Sequence, residues 1–305
     1  MKRKVLRIIT CFIGLSFLLF VEGCGAKSIH DEPQLSPYDA IYSNLVDMES
    51  QELLRAALEN NGVQHACADA LLENIVKYNN AAGSILPVQT GFEVFTKDTA
   101  SAYNATKLEK KWKKEYHDLT GRTNCRITAF EAMGSLISYD TAYHITKQRM
   151  LVETADLSVF RSDSDIDKFS ALFNGIESVE DMDASSQAEK IREYWKKCGI
   201  GFEETGNVSL ISIWCNAPGI YEDNDQYILF CGHAAVMIHT ENDSVLLLEK
   251  LDYNFPYQLI KFPSEDMALR YIVDFNCGEI EGTDIIPVVF VNDHVLRMQE
   301  GLIVY

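Results

Sequence analysis

The chain has 305 residues, of which 47% are hydrophobic and 24% charged. Those fractions describe a globular protein with a core and exclude wholesale disorder, a collagen-like fibre and a polytopic membrane protein. Asp and Glu number 45 against 27 Lys and Arg, a formal charge of -18 without any basic patch, so no nucleic-acid partner is expected.

In chain order, Lys2, Arg3, Lys4 and Arg7 precede an apolar run from Ile8 to Val21. The run has the length of a secretory h-region and falls short of the roughly 20 residues that span a bilayer. It ends in Val21-Glu22-Gly23-Cys24, which resembles a bacterial lipobox, with an aliphatic residue, a small residue and then the Cys that receives the lipid. The resemblance implies that residues 1–23 are a lipoprotein signal peptide, that Cys24 is lipidated, and that the protein sits in the bacterial cell envelope. There the lipid anchors it to the outer face of a membrane. Residues 24–38 carry Pro33 and Pro37 among polar residues and read as a tether. Residues 39–305 read as a single domain.

Residues 38–78 show helix-like apolar spacing: Ile41, Leu45 and Met48, then Leu53, Leu54, Ala57 and Leu58, then Ala70, Leu71, Ile75 and Val76. Asn61-Gly62 punctuates them. Lys107 to His117 is a strongly charged helix with Trp112 turned inward. A second helix is expected from Cys125 to Ser138, with Ile127, Phe130, Ala132, Met133 and Leu136 inward. Asp163 to Phe173 and Ala188 to Lys197 follow. Beyond about residue 205 the pattern changes to short β-prone runs: Val208 to Trp214, Tyr227 to His239, Val245 to Leu251, Tyr257 to Phe262 and Ile286 to Val291. One helix, Ser264 to Asp274, interrupts them, with Ser264 as its cap. The class is α+β, a helical N-terminal half packed on a mainly antiparallel sheet.

The chain lacks GxGxxG, GxxxxGK[ST] and GxSxG signatures, CxxC pairs and HExxH, so no cofactor and no metal are expected. Of eight cysteines, Cys11 would leave with the signal and Cys24 would carry lipid. Cys67, Cys125, Cys198, Cys215, Cys231 and Cys277 are too dispersed for a disulfide scaffold.

Two segments can carry chemistry. In Arg122-Thr123-Asn124-Cys125-Arg126, Cys125 opens a predicted helix, where unpaired N–H groups and the macrodipole stabilise a thiolate and two arginines add positive charge. In Cys231-Gly232-His233, the His follows a Gly on a predicted strand, and a hairpin returns an acid toward it as base and orienter. A turn at Asn242-Asp243 places Asp252 opposite His233, whereas a turn centred nearer Glu241 places Glu249 there.

A Cys opening a helix, then an antiparallel sheet beginning with His, then a polar residue on the next strand resembles the papain-like cysteine peptidases. The NlpC-type cell-wall hydrolases are the nearest likeness, over about residues 107–263. The chain as a whole also resembles a bacterial lipoprotein family known only as a domain of unknown function. The matching motifs are Asn124-Cys125-Arg126, Cys231-Gly232-His233, and Glu249-Lys250 with Pro256-Tyr257-Gln258. The resemblance implies a thiol amidase or peptidase with Cys125 as nucleophile, His233 as base and Glu249, or else Asp252, as orienting acid, acting on peptidoglycan peptides. Papain-like enzymes carry an oxyanion-hole Gln shortly before the nucleophile. Residues 115–124 contain none, so Asn124, Thr123 or a backbone N–H stands in its place. The alternative is a non-catalytic lipoprotein that binds a ligand or partner on the same fold.

Overall fold

The computed structural model of the chain describes residues 38–96, 98–99, 102–117, 122–143, 145, 159–160, 162–203, 207–218, 226–240, 243–276, 287–299 and 302–304. The expected signal peptide, Cys24, the tether up to residue 37, and Cys277 lie outside them. Among the described residues no helix is long and apolar enough to cross a membrane.

The first element corrects the helical reading of residues 38–78. Ile41–Ser43 is a short strand, β1, and Ile41 and Leu45 are not on a helix. Asp39 and Leu45 bound it with positive φ of 47° and 57°, which breaks any helical register. The strand instead gains backbone pairing with residues 259–261. Helix α1 (Met48–Asn60) starts after Asp47, whose carboxylate accepts the Ser50 N–H at 2.9 Å. Helix α2 (His65–Ala82) follows the Asn61-Gly62 turn. Then come β2 (Glu93–Val94) and α3 (Ala105–Tyr116), the charged helix, which buries Leu108 and Trp112.

Helix α4 (Cys125–Met133) is shorter than expected. It ends where Gly134, the weakest helix former save Pro, tucks beneath the Phe130 ring. A 3-10 turn, Gly134–Leu136, leads into β3 (Ile137–Ser138), which pairs with β5 (Gly201–Phe202). Between these two strands lie α5 (Asp163–Phe173), β4 (Ile176–Ser178) and α6 (Ala184–Cys198). Asp140 runs so close to the end of α6 that a Cβ on Gly199 would meet the Asp140 Cβ at 2.5 Å and its N at 2.8 Å. Gly199 also holds a left-handed φ of 67°. Gly199→Ala is therefore expected to cost about 2 kcal/mol or more, read as a lowered midpoint in urea unfolding.

The long strands are β6 (Val208–Pro218), β7 (Tyr227–His239), β8 (Val245–Lys250) and β9 (Tyr257–Phe262). After them come α7 (Glu265–Asn276), β10 (Val288–Val291), β11 (His294–Val295) and the hairpin β12 (Arg297–Gln299) with β13 (Leu302–Val304). The main sheet runs β11-β10-β6-β7-β8-β9-β1-β2, with β4 also on β7, and each adjacent pair is antiparallel. The fold is α+β, as the element pattern predicts. Strands β6 to β8 are buried almost continuously, so they read as apolar runs rather than alternations.

Two features of β7 position the site. Its pairing with β6 shifts by one residue between Ile213–His233 and Trp214–Cys231, so Gly232 is the extra residue of a bulge. On the other edge, β4 pairs residues 227–229 and β8 pairs residues 235–239, leaving residues 230–234 between them. Helix α4 packs against β7 and β8 beside this interval. It is buried on every side, Arg126, Thr128 and Glu131 included, which makes it a central helix rather than the amphipathic one expected.

Candidate active site

Asn124 adopts an extended backbone and accepts the Ile127 N–H on Oδ1 at 3.0 Å, the local reason a helix begins here. Cys125 is then the first helical residue. Its N–H takes no part in the helix's own ladder and its sulfur sits at the positive end of the dipole. From β7, the bulge at Gly232 sends the Cys231 and His233 side chains to opposite faces, where an unbroken strand would align them. His233 thereby hydrogen-bonds Cys125, while the Cys231 carbonyl accepts Arg126 Nη1 at 2.9 Å. The Ala234 N–H also reaches the Cys125 sulfur.

The other imidazole edge meets Glu249, with His233 Nε2 and Glu249 Oε2 3.1 Å apart. Neither hairpin register expected from the sequence is the one found. Ala235 pairs with Glu249, so continuing the ladder sets Leu251 opposite His233, and Glu249 reaches the ring as its diagonal neighbour. Asp252 turns elsewhere, its carboxylate accepting the Tyr253 N–H at 2.6 Å. Of the two acids left open by the sequence, Glu249 is the one at His233.

Glu249 is fully buried and its second oxygen is also engaged. Oε1 accepts from the Tyr271 hydroxyl of α7 and from Gln258 Nε2 at 3.2 Å. Gln258 is the cross-strand partner of Glu249, and its own Oε1 accepts from the Tyr103 hydroxyl at 2.8 Å. That hydroxyl in turn accepts from Asn44 Nδ2 at 3.1 Å. Tyr271, Tyr103 and Asn44 were not legible as site residues, because their elements meet Glu249 only through the tertiary fold. Gln258 lies within a motif matched at the sequence level, yet nothing local indicates its partner.

The electrostatics follow from these contacts. Burial pushes the Cys125 thiol up, but the hydrogen bond and charge of His233, the charge of Arg126 and the Ala234 N–H outweigh it, leaving the thiol below its ordinary value. Burial pulls His233 down, but the hydrogen bonds and charges of Cys125 and Glu249 outweigh that and raise it to about 10. Both shifts favour a thiolate–imidazolium pair. Burial and the neighbouring Glu249 carboxylate hold Tyr271 well above its ordinary value, so it remains a neutral donor. The two flanking arginines divide: Arg126 serves the thiolate, whereas Arg122 Nη1 donates to Asn254 Oδ1 at 2.5 Å.

The candidates for the missing oxyanion Gln are placed as follows. Thr123 hydrogen-bonds the Tyr257 hydroxyl, and Asn124 donates from Nδ2 to the Tyr253 hydroxyl at 3.2 Å while capping α4 with Oδ1. The Cys125 N–H is the backbone donor at the helix start. Cys67 and Cys198, also free thiols, lie away from this constellation, and burial raises Cys198. Among the described residues no group of three or more His, Cys, Asp or Glu side chains could hold a metal ion.

No curated protein and no solved structure matches the chain significantly, and no papain-like or NlpC-type family is matched. A family model described as a domain of unknown function, DUF4300, matches residues 41–296, and the chain belongs to that family.

Proposed function

We propose that this protein is a membrane-anchored extracytoplasmic lipoprotein whose Cys125, His233 and Glu249 form a thiol hydrolase site for amide bonds. The observation that carries the reading is the buried hydrogen-bonded series Cys125–His233–Glu249, with the sulfur at a helix N-terminus. His233 Nε2 is held by Glu249, which leaves Nδ1 for the thiol and orients the ring.

In the reaction, the Cys125 thiolate attacks the carbonyl carbon, a C–S bond forms, and the carbonyl electron pair moves onto oxygen. The Cys125 N–H donates to that oxygen at the helix N-terminus. As the tetrahedral species collapses, the C–N bond breaks and His233 gives its proton to the departing amine. Water then loses a proton to the neutral imidazole and attacks the thioester, and the thiolate leaves. Glu249 steadies the imidazolium without taking its proton. An enzyme anchored outside a bacterial membrane meets peptidoglycan stem peptides, so these are the proposed substrate class.

Selective alkylation tests the site. At pH 6, iodoacetamide should modify Cys125 ahead of Cys67 and Cys198, mapped by peptide mass spectrometry, because Cys125 has an imidazolium partner in His233 whereas burial raises Cys198. A purified protein that also releases amines from stem peptides is the expected enzyme. Equal or slower reaction of Cys125 would favour a second reading, a non-catalytic binding lipoprotein on the same fold. The burial of the pair speaks for that reading, Cys125 and His233 each being only 6% exposed.

Anchoring is tested separately. Residues 2–24 carry the basic and apolar parts of a signal peptide and then the Gly-Cys of a lipobox, in order. The protein expressed in a bacterium should partition with membranes and begin at a diacylated Cys24. Cys24→Ala should release it or block its maturation, and an unmodified N-terminus elsewhere would contradict the anchor.

A further inference from the structure

Lys250 belongs to the Glu249-Lys250 motif, yet it has no part in the mechanism above. It follows Glu249 on β8, so its side chain leaves the strand the opposite way, toward its cross-strand partner Tyr257. It is fully buried. A buried ammonium is strongly disfavoured unless its protons are hydrogen-bonded. Here all three are, because Nζ donates to the carbonyls of Asp252 at 3.0 Å, Tyr253 at 3.0 Å and Phe255 at 2.6 Å. The rings of Tyr78 and Tyr257 face it with centroids at 4.3 and 5.2 Å.

The cage gathers residues 252–255 into a loop, and the loop reaches the turn that carries the nucleophile. The Tyr253 hydroxyl accepts from Asn124 at 3.2 Å, Asn254 Oδ1 accepts from Arg122, and the Arg122 guanidinium lies 5.3 Å from the Tyr253 ring centroid. The Tyr78 hydroxyl donates to the Asn254 carbonyl at 2.8 Å and ties the same loop to α2. Arg122 and Asn124 are the residues that lead into Cys125.

We propose that Lys250 is a positioning residue of the Cys125 site, acting through the 252–255 loop to hold Asn124 and Arg122 in place before the nucleophile. The inference rests on the thiol-site reading above. Its consequence is that the protonation state of Lys250 is felt at Cys125, since a neutral amine has only two protons for three carbonyls. Burial lowers Lys250 to about 7, with Arg122 acting in the same direction and the Asp252 carboxylate and Cys125 opposing. Among the described residues, those groups, with Tyr78 of α2 and Tyr257 of β9, are the titratable and charged neighbours that face it.

The test is the rate of Cys125 alkylation by iodoacetamide from pH 5 to 10 in the full chain. The wild-type profile should show, besides the thiolate step, a second step near pH 7 that lowers the rate of the thiolate by about threefold, the scale of one lost hydrogen bond. Lys250→Met, which keeps the chain length and removes the donors, should abolish that step. If Lys250→Met does not fold by circular dichroism, Tyr253→Phe decides, since it spares the cage and cuts the loop's bond to Asn124. It too should lose the step. A folded variant that retains the wild-type profile, or a wild-type profile with no second step, overturns the proposal. His233→Ala separates the two readings: if it leaves the profile untouched, the Cys125–His233 pair fails, whatever Lys250 does.

Discussion

If Cys125 and His233 form the proposed thiol hydrolase site, His233→Ala should lower amide hydrolysis by about 10^3-fold or more, because one group would serve as counter-ion, proton donor and later base. The same substitution should slow Cys125 alkylation at pH 6 by about tenfold or more, because the thiolate loses its hydrogen-bonding counter-ion. The direction comes from the balance at Cys125. Burial raises the thiol, and the largest opposing contributions are the hydrogen bond and charge of His233. Once they are removed, burial governs. In the wild type, activity should rise on the acid side below the ordinary thiol range and fall on the alkaline side near 10, where the imidazolium is lost. The two limbs belong to the pair rather than to either residue. The sign for stability is the same for His233: its folded value lies above the ordinary 6.5, so its contribution is fully present below about 6.5 and disappears as pH climbs through about 10. A pH–rate profile with no alkaline limb near 10 would remove the ion pair from the mechanism.

Glu249→Ala should be the most destabilising single change at the site, by about 4 kcal/mol in chemical unfolding. The carboxylate is fully buried and accepts from His233, Tyr271 and Gln258. Its removal strands three buried donors at once, and each orphaned donor costs about 1–3 kcal/mol before relaxation. Glu249→Gln keeps the volume and one acceptor, so it should cost less, about 2 kcal/mol. Yet it should still move the alkaline limb of the pH profile below 10, since an amide cannot stabilise the imidazolium as a carboxylate does. A Glu249→Gln protein with an unchanged alkaline limb would reduce Glu249 to a structural acceptor.

Local pattern carried the elements whose fate is decided locally. Asp163–Phe173 follows Ser162, whose hydroxyl accepts the Asp165 N–H, and the helix found spans the residues expected. Strands Tyr227–His239 and Tyr257–Phe262 also match, because β-branched and aromatic runs between turns have no competing helical period. The setting of Cys125 was legible for the same reason: Asn124 caps the helix that Cys125 opens, and that is a property of adjacent residues.

What the amino-acid sequence determined by itself is therefore the class of the fold, the onset of α4 at Cys125 and the strand bearing His233. Ile41–Ser43 misled because a short strand on the sheet takes its structure from β9, some 220 residues away along the chain, and not from its own spacing. The choice between Glu249 and Asp252 belonged to the tertiary structure, since a one-residue change in hairpin register exchanges the faces of a strand and residue types cannot specify the turn. The Gly232 bulge, the clamp of Tyr271 and Gln258 on Glu249, and the Lys250 cage were equally out of reach. Each joins groups from separate elements, and only folding brings them to hydrogen-bonding distance and removes the water that would otherwise satisfy them.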